Sequence, residues 1–274
     1  MFNFIRKIRW KRLAALGLWL FSVVGFLFLM SFVSKRGKEQ KCGAIHIIVP
    51  GTQAFVSQAE VYDEVEKHVG PLTGLALKDV PIQQIENTLR TNPFVKNVSV
   101  YNDLDGKINI KIDQREAMLR IINRAGQDFY IDKEGIKFPG SRLYAPHVMV
   151  ANGYITERYD GKQDSVQSNL LKDLYLVARR IATDSLWNSQ VEQLYVNEEK
   201  DIELVPKLGN QKIVLGTADS IDKKLAKLLV FYQKIVPKVG WGMYKSVNLK
   251  FSGQLICEKE DSIIQKEKNN KIAY

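Results

Sequence analysis

The chain has 274 residues, 45% hydrophobic and 26% charged, with 40 Lys and Arg against 30 Asp and Glu for a net charge of +10. That excess does not mark a nucleic-acid binder. Residues 1–41 alone carry +8 (nine basic residues and Glu39), so +2 is left on the other 233 residues, too little for the basic stripe that a folded nucleic-acid domain displays. Two cysteines 215 residues apart fall short of a disulfide framework, and His46, His68 and His147 stand at no metal-ligand spacing, so neither a cofactor nor a metal is expected.

In chain order, a basic tail over residues 1–12 precedes an apolar run at 13–33, bounded by Leu13 and Val33 and holding Trp19 and Phe26. The run is 21 residues long, with no ionisable side chain between Arg12 and Lys35. Roughly 20 such residues span a bilayer core as a helix, and basic flanks are drawn to anionic headgroups. A cleaved signal peptide is disfavoured, because its apolar part is about 7–15 residues and ends in small-x-small, whereas here the exit reads Met30-Ser31-Phe32-Val33-Ser34. Lys41 before Cys42 argues against a lipoprotein signal. Five basic residues precede the run and four follow it, a slight bias for an N-terminus in the cytoplasm and a body in the periplasm.

A polar linker is expected over 34–43. A β-rich run at 44–49 then stops at Pro50-Gly51. Ser57 and Glu60 form a capping box ahead of Val61, Val65 and Val69 at helical spacing. A second helix fits 81–90, with Pro81 in the first turn and Ile82, Ile85 and Leu89 as its stripe. Residues 94–101 and 107–112 alternate around the turn Asn102-Asp103-Leu104-Asp105-Gly106, which predicts a hairpin. The unit 44–116 therefore reads β-α-α-β-β.

Beyond residue 117 the pattern favours strands at 118–122, 129–132, 136–138, 146–150, 191–196, 201–205, 212–215, 247–251 and 254–257. Two amphipathic helices interrupt them, one through Leu170, Leu174, Val177 and Ile181, the other through Leu225, Leu228, Tyr232 and Ile235. A polar tail, disordered or loosely helical, is expected at 259–274. The fold class is α+β: an N-terminal transmembrane helix, the β-α-α-β-β module, and a mixed β domain with two long helices at 117–258.

Motifs for chemistry are scarce. Phosphate loops, Gly-x-Ser-x-Gly and His-Glu-x-x-His are absent. Ser220-Ile221-Asp222-Lys223 matches Ser-x-x-Lys, but its companion elements are missing, and Ser220 stands where a helix N-cap belongs. The expectation is a non-catalytic body that acts by its surface, with the edge formed by the last strands open to a partner strand.

Together these pieces resemble the FtsQ/DivIB cell-division family. The resemblance rests on Pro93-Phe94-Val95-Lys96-Asn97-Val98-Ser99-Val100, the hairpin, and Ile108-x-Ile110-x-Ile112-x-Gln114-Arg115-Glu116-Ala117, which is similar to the family's POTRA module. It continues through Phe129-Tyr130-Ile131-Asp132-x-x-Gly135-x-x-Phe138, Lys212-Ile213-Val214-Leu215-Gly216 and Val247-Asn248-Leu249-Lys250-Phe251. The chain departs from the family in a long polar stretch at 157–166 and in Cys257, where an aromatic residue would fit. The resemblance implies a divisome scaffold at the septum that helps control septal peptidoglycan synthesis. It further implies FtsB- and FtsL-like partners for Val247, Leu249, Phe251, Ser252, Gly253, Gln254, Leu255 and Ile256, with other divisome components on the POTRA surface. Membrane lipid is a partner of the anchor; nucleic acid and small-molecule substrates are not expected. The competing readings are a POTRA-bearing envelope assembly or secretion factor and a membrane-anchored cell-wall enzyme.

Overall fold

The computed structural model describes residues 10–51, 54–103, 105–141 and 143–261; within the first helix, side chains are described for 16–30. That helix, α1 (Trp10–Glu39), takes up the apolar run and most of the stretch expected as a polar linker. Lys35, Arg36, Lys38 and Glu39 are good helix formers, and together they carry the helix past Gly37. Residues 40–42 are not linker either. Leu75 O accepts from the Cys42 amide at 2.8 Å, Cys42 O accepts from Gly74 at 2.9 Å, and Gln40 O accepts from Leu77 at 2.9 Å, so this stretch is stitched into the first folded unit. Within 16–30 the apolar side chains are exposed around the helix, Phe21 to 80%, Trp19 to 65% and Phe26 to 61%. Among the described residues no helix is long and apolar enough to cross a membrane. The side chains of Leu13 and Val33, residues 1–9 and the tail from 262 lie outside the described residues.

The chain divides into two units. One holds the residues up to Pro50 together with Val56–Asp113; the other holds Gly51–Phe55 and everything from Gln114. In the first unit, β1 (Ala44–Ile48), β2 (Val95–Asn102) and β3 (Lys107–Gln114) form a sheet in the order β1-β3-β2. β1 runs parallel to β3, with Ile45 beside Ile108 and Ile47 beside Ile110. Two helices, α2 (Gln58–Val69) and α3 (Ile82–Arg90), bury Val61, Val65, Ile85 and Leu89 with Val98, Ile108, Ile110 and Ile112. The capping box forms as expected: Ser57 Oγ accepts from Glu60 N, and the Glu60 carboxylate accepts from Ser57 N. Pro81 occupies the N-cap of α3 rather than its first turn, and its carbonyl accepts from Gln84 and Ile85. In the β2–β3 turn, Asp103 Oδ1 accepts from the amides of Asp105 and Lys107, and these bonds hold its carboxyl below the usual range.

The second unit is built on nine strands: β4 (Ala117–Ile122), β5 (Asp128–Asp132), β6 (Lys137–Pro139), β7 (Met149–Gly153), β8 (Val191–Val196), β9 (Ile202–Pro206), β10 (Lys212–Gly216), β11 (Tyr244–Asn248) and β12 (Ile256–Lys259). Their order is β12-β11-β10-β9-β8-β7-β4-β5-β6. On one face lie α4 (Asn169–Ala182), α5 (Ser185–Gln190), α6 (Ile221–Val230) and α7 (Val236–Val239), with a π-helical turn at Phe231–Ile235. Leu174, Val177, Leu228 and Phe231 meet Leu194, Leu204, Ile213 and Val247 there in one buried core. On Tyr130 and Phe138, Phe55 and Tyr144 complete an edge-to-face aromatic cluster.

Three differences from the sequence reading matter below. The last two strands sit elsewhere than expected, at Tyr244–Asn248 instead of 247–251 and Ile256–Lys259 instead of 254–257. The short helix α5, capped by Asp184, was unforeseen. Ser220 stands at the N-cap of α6 with left-handed backbone (φ 48°) and its side chain caps nothing.

Candidate functional site

A sheet of nine strands has two edges, and hydrogen bonding decides which of them is open. β6 is the first. It is three residues long, carries Pro139, and is overlaid from outside by residues 164–166. The Lys137 amide donates to Asp164 O and the Val166 amide to Gly135 O, both at 2.9 Å. A buried ion pair steadies this region: Arg115 Nη1 lies 2.7 Å from Asp132 Oδ2, and Arg115 Nη2 donates to Gln163 Oε1 at 2.8 Å. Asp132 Oδ1 also accepts from the Glu134 and Ile136 amides.

The second edge is β12. Its inner side pairs antiparallel with β11, Asn248 opposite Ile256, Val247 opposite Cys257 and Ser246 opposite Glu258. No strand lies on its outer side among the described residues. In an antiparallel pair, successive residues turn their N–H and C=O alternately toward and away from the neighbour. The Glu260 amide donates inward to Met243 O, and the Leu249 amide donates away from β12 to Val214 O on β10. Counting back from these, Ile256 and Glu258 face β11 with their backbone, and the Cys257 amide points to the open side. The Cys257 side chain packs instead against the core, and burial pushes its thiol pKa up.

The eight residues singled out from sequence separate in this frame. Val247 and Leu249 are fully buried in the core, and the strand of Val247 is flanked by β10 and β12, so neither lies at an edge. Phe251, 48% exposed, and Ser252, Gly253 and Gln254 form the exposed turn that leads to the edge. Leu255 packs partly against the core. Ile256, 46% exposed, lies on the open strand. Cys257, Glu258 and Lys259, which complete the edge strand, fell outside that set, although the strand expected at 254–257 already reached Cys257.

Beside the turn, a cleft of about 310 Å³ is lined by Lys223, Lys224, Lys227, Lys250, Phe251 and Ser252. Three of its lysines are engaged within the protein. Lys224 Nζ donates to Thr217 O and Asp219 Oδ1, Lys227 Nζ donates to three carbonyls of the turn, and Lys250 Nζ lies 2.5 Å from Asp201 Oδ2. Lys224 and Thr217 hold the Asp219 carboxyl below its usual range. Among the described residues no group of three or more His, Cys, Asp or Glu is placed to hold a metal ion.

Comparison with known proteins agrees with this architecture. Residues 40–113 match the POTRA-like domain, and residues 116–258 match the family described as FtsQ/DivIB, C-terminal related. Over 181 residues the chain is 25% identical to the cell division protein DivIB of Clostridium acetobutylicum, covering 63% of this chain and 67% of that protein. With the family's C-terminal region spanning more than half of its length behind a POTRA-like domain, the chain belongs to the FtsQ/DivIB family of cell-division proteins.

Proposed function

We propose that this protein is a non-catalytic scaffold of the divisome, held in the inner membrane by α1 and projecting its two folded units into the periplasm at the division septum. The 21-residue run without ionisable side chains supports the anchor, as do the apolar side chains that α1 exposes at 16–30. Family membership supports the placement in division. In this role the protein links early and late division components and helps control septal peptidoglycan synthesis, with upstream components meeting the POTRA-like surface.

One observation carries the docking site: among the described residues β12 is an open edge, whereas the far edge of the same sheet is covered. FtsB- and FtsL-like partners add a strand along β12 from Ile256, with residues 251–255 forming the rim, while Val247 and Leu249 hold β11 to the core. Strand addition runs through main-chain hydrogen bonds and therefore tolerates side-chain changes but not loss of an outward N–H. Since Gln254 lies before the strand, the position that tests this is Cys257.

The test is capture of the organism's own FtsB- and FtsL-like pair by the full chain. Cys257→Ala, which keeps the amide, is expected to bind as the parent does. Cys257→Pro is expected to weaken capture by at least about tenfold, the equivalent of one lost charge-free hydrogen bond at the upper end of its range. Undiminished capture by Cys257→Pro would overturn docking at β12.

A further inference from the structure

The turn between β11 and β12 is held from outside itself. Lys227, on α6, directs its ammonium at three main-chain carbonyls: Leu249 at 2.8 Å, Phe251 at 2.6 Å and Gln254 at 3.0 Å. An ammonium has three protons, and all three are spent here. Residues 252–253 form a tight turn outside any strand ladder, and Gly253 takes a left-handed φ of 70°. Phe251 adds little, being half exposed. A single cation thus gathers, from another element, a turn that lies outside the strand ladder.

Its neighbour one turn earlier shows the same use of lysine on a different loop. Lys224 reaches the Thr217 carbonyl and the Asp219 carboxylate, tying the β10–α6 connection to the helix. With Lys250 engaged by Asp201, three of the four lysines around the cleft serve the protein's own oxygens. The cleft is better explained as the interior of a clamp than as an anion site.

We propose that Lys227 is the positioning residue of the docking edge: it fixes the path of residues 249–254 and thereby sets where β12 begins and how its open side is presented. The inference rests on the reading of β12 as the partner edge. Its physical basis is preorganisation, since an edge already held in strand geometry spares a partner the cost of ordering it. Charge-assisted hydrogen bonds are stronger than neutral ones, which suits an exposed turn open to water.

The experiment is amide hydrogen exchange on the full chain, comparing the parent with Lys227→Met, Lys227→Arg and Lys224→Met, alongside capture of the FtsB- and FtsL-like pair. In Lys227→Met, exchange at Ile256 and Glu258 is expected to rise about tenfold or more while the β8–β9 ladder stays at its parental rate. Capture is expected to weaken in step. Lys227→Arg, which keeps the charge and offers more donors, is expected to recover most of the protection, and Lys224→Met to leave β12 unchanged. Unaltered exchange at Ile256 and Glu258 in Lys227→Met would overturn the clamp. So would an equal rise across β8–β9, which would make Lys227 a residue of general stability. Faster exchange with full capture would end its positioning role. These readings are separable from the docking site itself, because exchange is measured without a partner and Cys257→Pro judges the edge directly.

Discussion

The two edges of the nine-stranded sheet answer one problem in opposite ways. β6 is short, bears a proline, and is overlaid by residues 164–166, with Arg115 and Asp132 buried beneath. β12 is one residue longer, has no overlay among the described residues, and is joined to its inner neighbour by a turn that a single lysine holds. Unpaired edges invite promiscuous pairing, and natural sheets blunt them with prolines, short strands and covering loops. All three devices protect β6; β12 shares only the shortness, with neither a proline nor, among the described residues, a covering loop. An edge left open on a sheet whose other edge is so thoroughly closed is the physical ground for assigning recognition to β12.

The largest effect should come from the closed side. Arg115 and Asp132 are 10% and 0% exposed, and Arg115→Met strands a buried carboxylate with its two amide donors alone. Breaking one partner of a buried pair costs about 3–5 kcal/mol. Urea unfolding is expected to show that loss, and exchange around 136–138 should rise while β12 keeps its rate. A loss below about 1 kcal/mol would mean that the pair contributes no more than a surface bridge.

A smaller change can turn the closed edge into a second open one. Val166→Pro deletes the amide that donates to Gly135 O at 2.9 Å, at a cost of about 1 kcal/mol, and Ser165 before it is already extended in its bridge to Ile136. The Lys137 amide is expected to exchange faster, and sedimentation should reveal self-association that the parent does not show. If Val166→Pro stays as dispersed as the parent, covering β6 is not what keeps that edge from pairing.

How much of this was legible beforehand follows from which interactions are local. The capping box at Ser57 and Glu60, the β2–β3 hairpin and the stripe of α4 are each set by residues a few positions apart, and all three formed as the sequence indicated. The last strands were misplaced because Val247, Leu249 and Phe251 alternate like a strand, yet only the first lies in one. Leu249 is buried beyond the end of β11 with its amide on Val214, and Phe251 turns out into the Lys227 clamp. Both causes lie more than twenty residues away in sequence. The open edge at the last strands was legible, but the closure of the opposite one was not, since it depends on the order of nine strands and on the fold of residues 164–166 over β6. The polar stretch after the apolar run has the composition of a linker, yet its lysines, arginine and glutamate continue α1 to Glu39. Lys227 gave no sign at all, being one lysine among several on a solvated-looking helix.

The smallest effect tests whether β12 is a formed edge or a frayed one. The Cys257 backbone points outward while its thiol packs inward, and burial raises its pKa. Alkylation requires the thiolate. At any pH below that raised value the thiolate fraction is less than in an exposed cysteine, so the rate should climb with pH along a curve displaced upward from that of the unfolded chain. Cys42, 2% exposed and likewise raised by burial, should react more slowly still. Docking of a partner strand leaves the inward thiol facing the same core, so it should slow Cys257 by only about twofold, through damped opening of the strand. If Cys257 in the folded protein reacts as fast as in the unfolded chain, β12 is open in time as well as in space, and the partner must bring the strand into being rather than find it waiting.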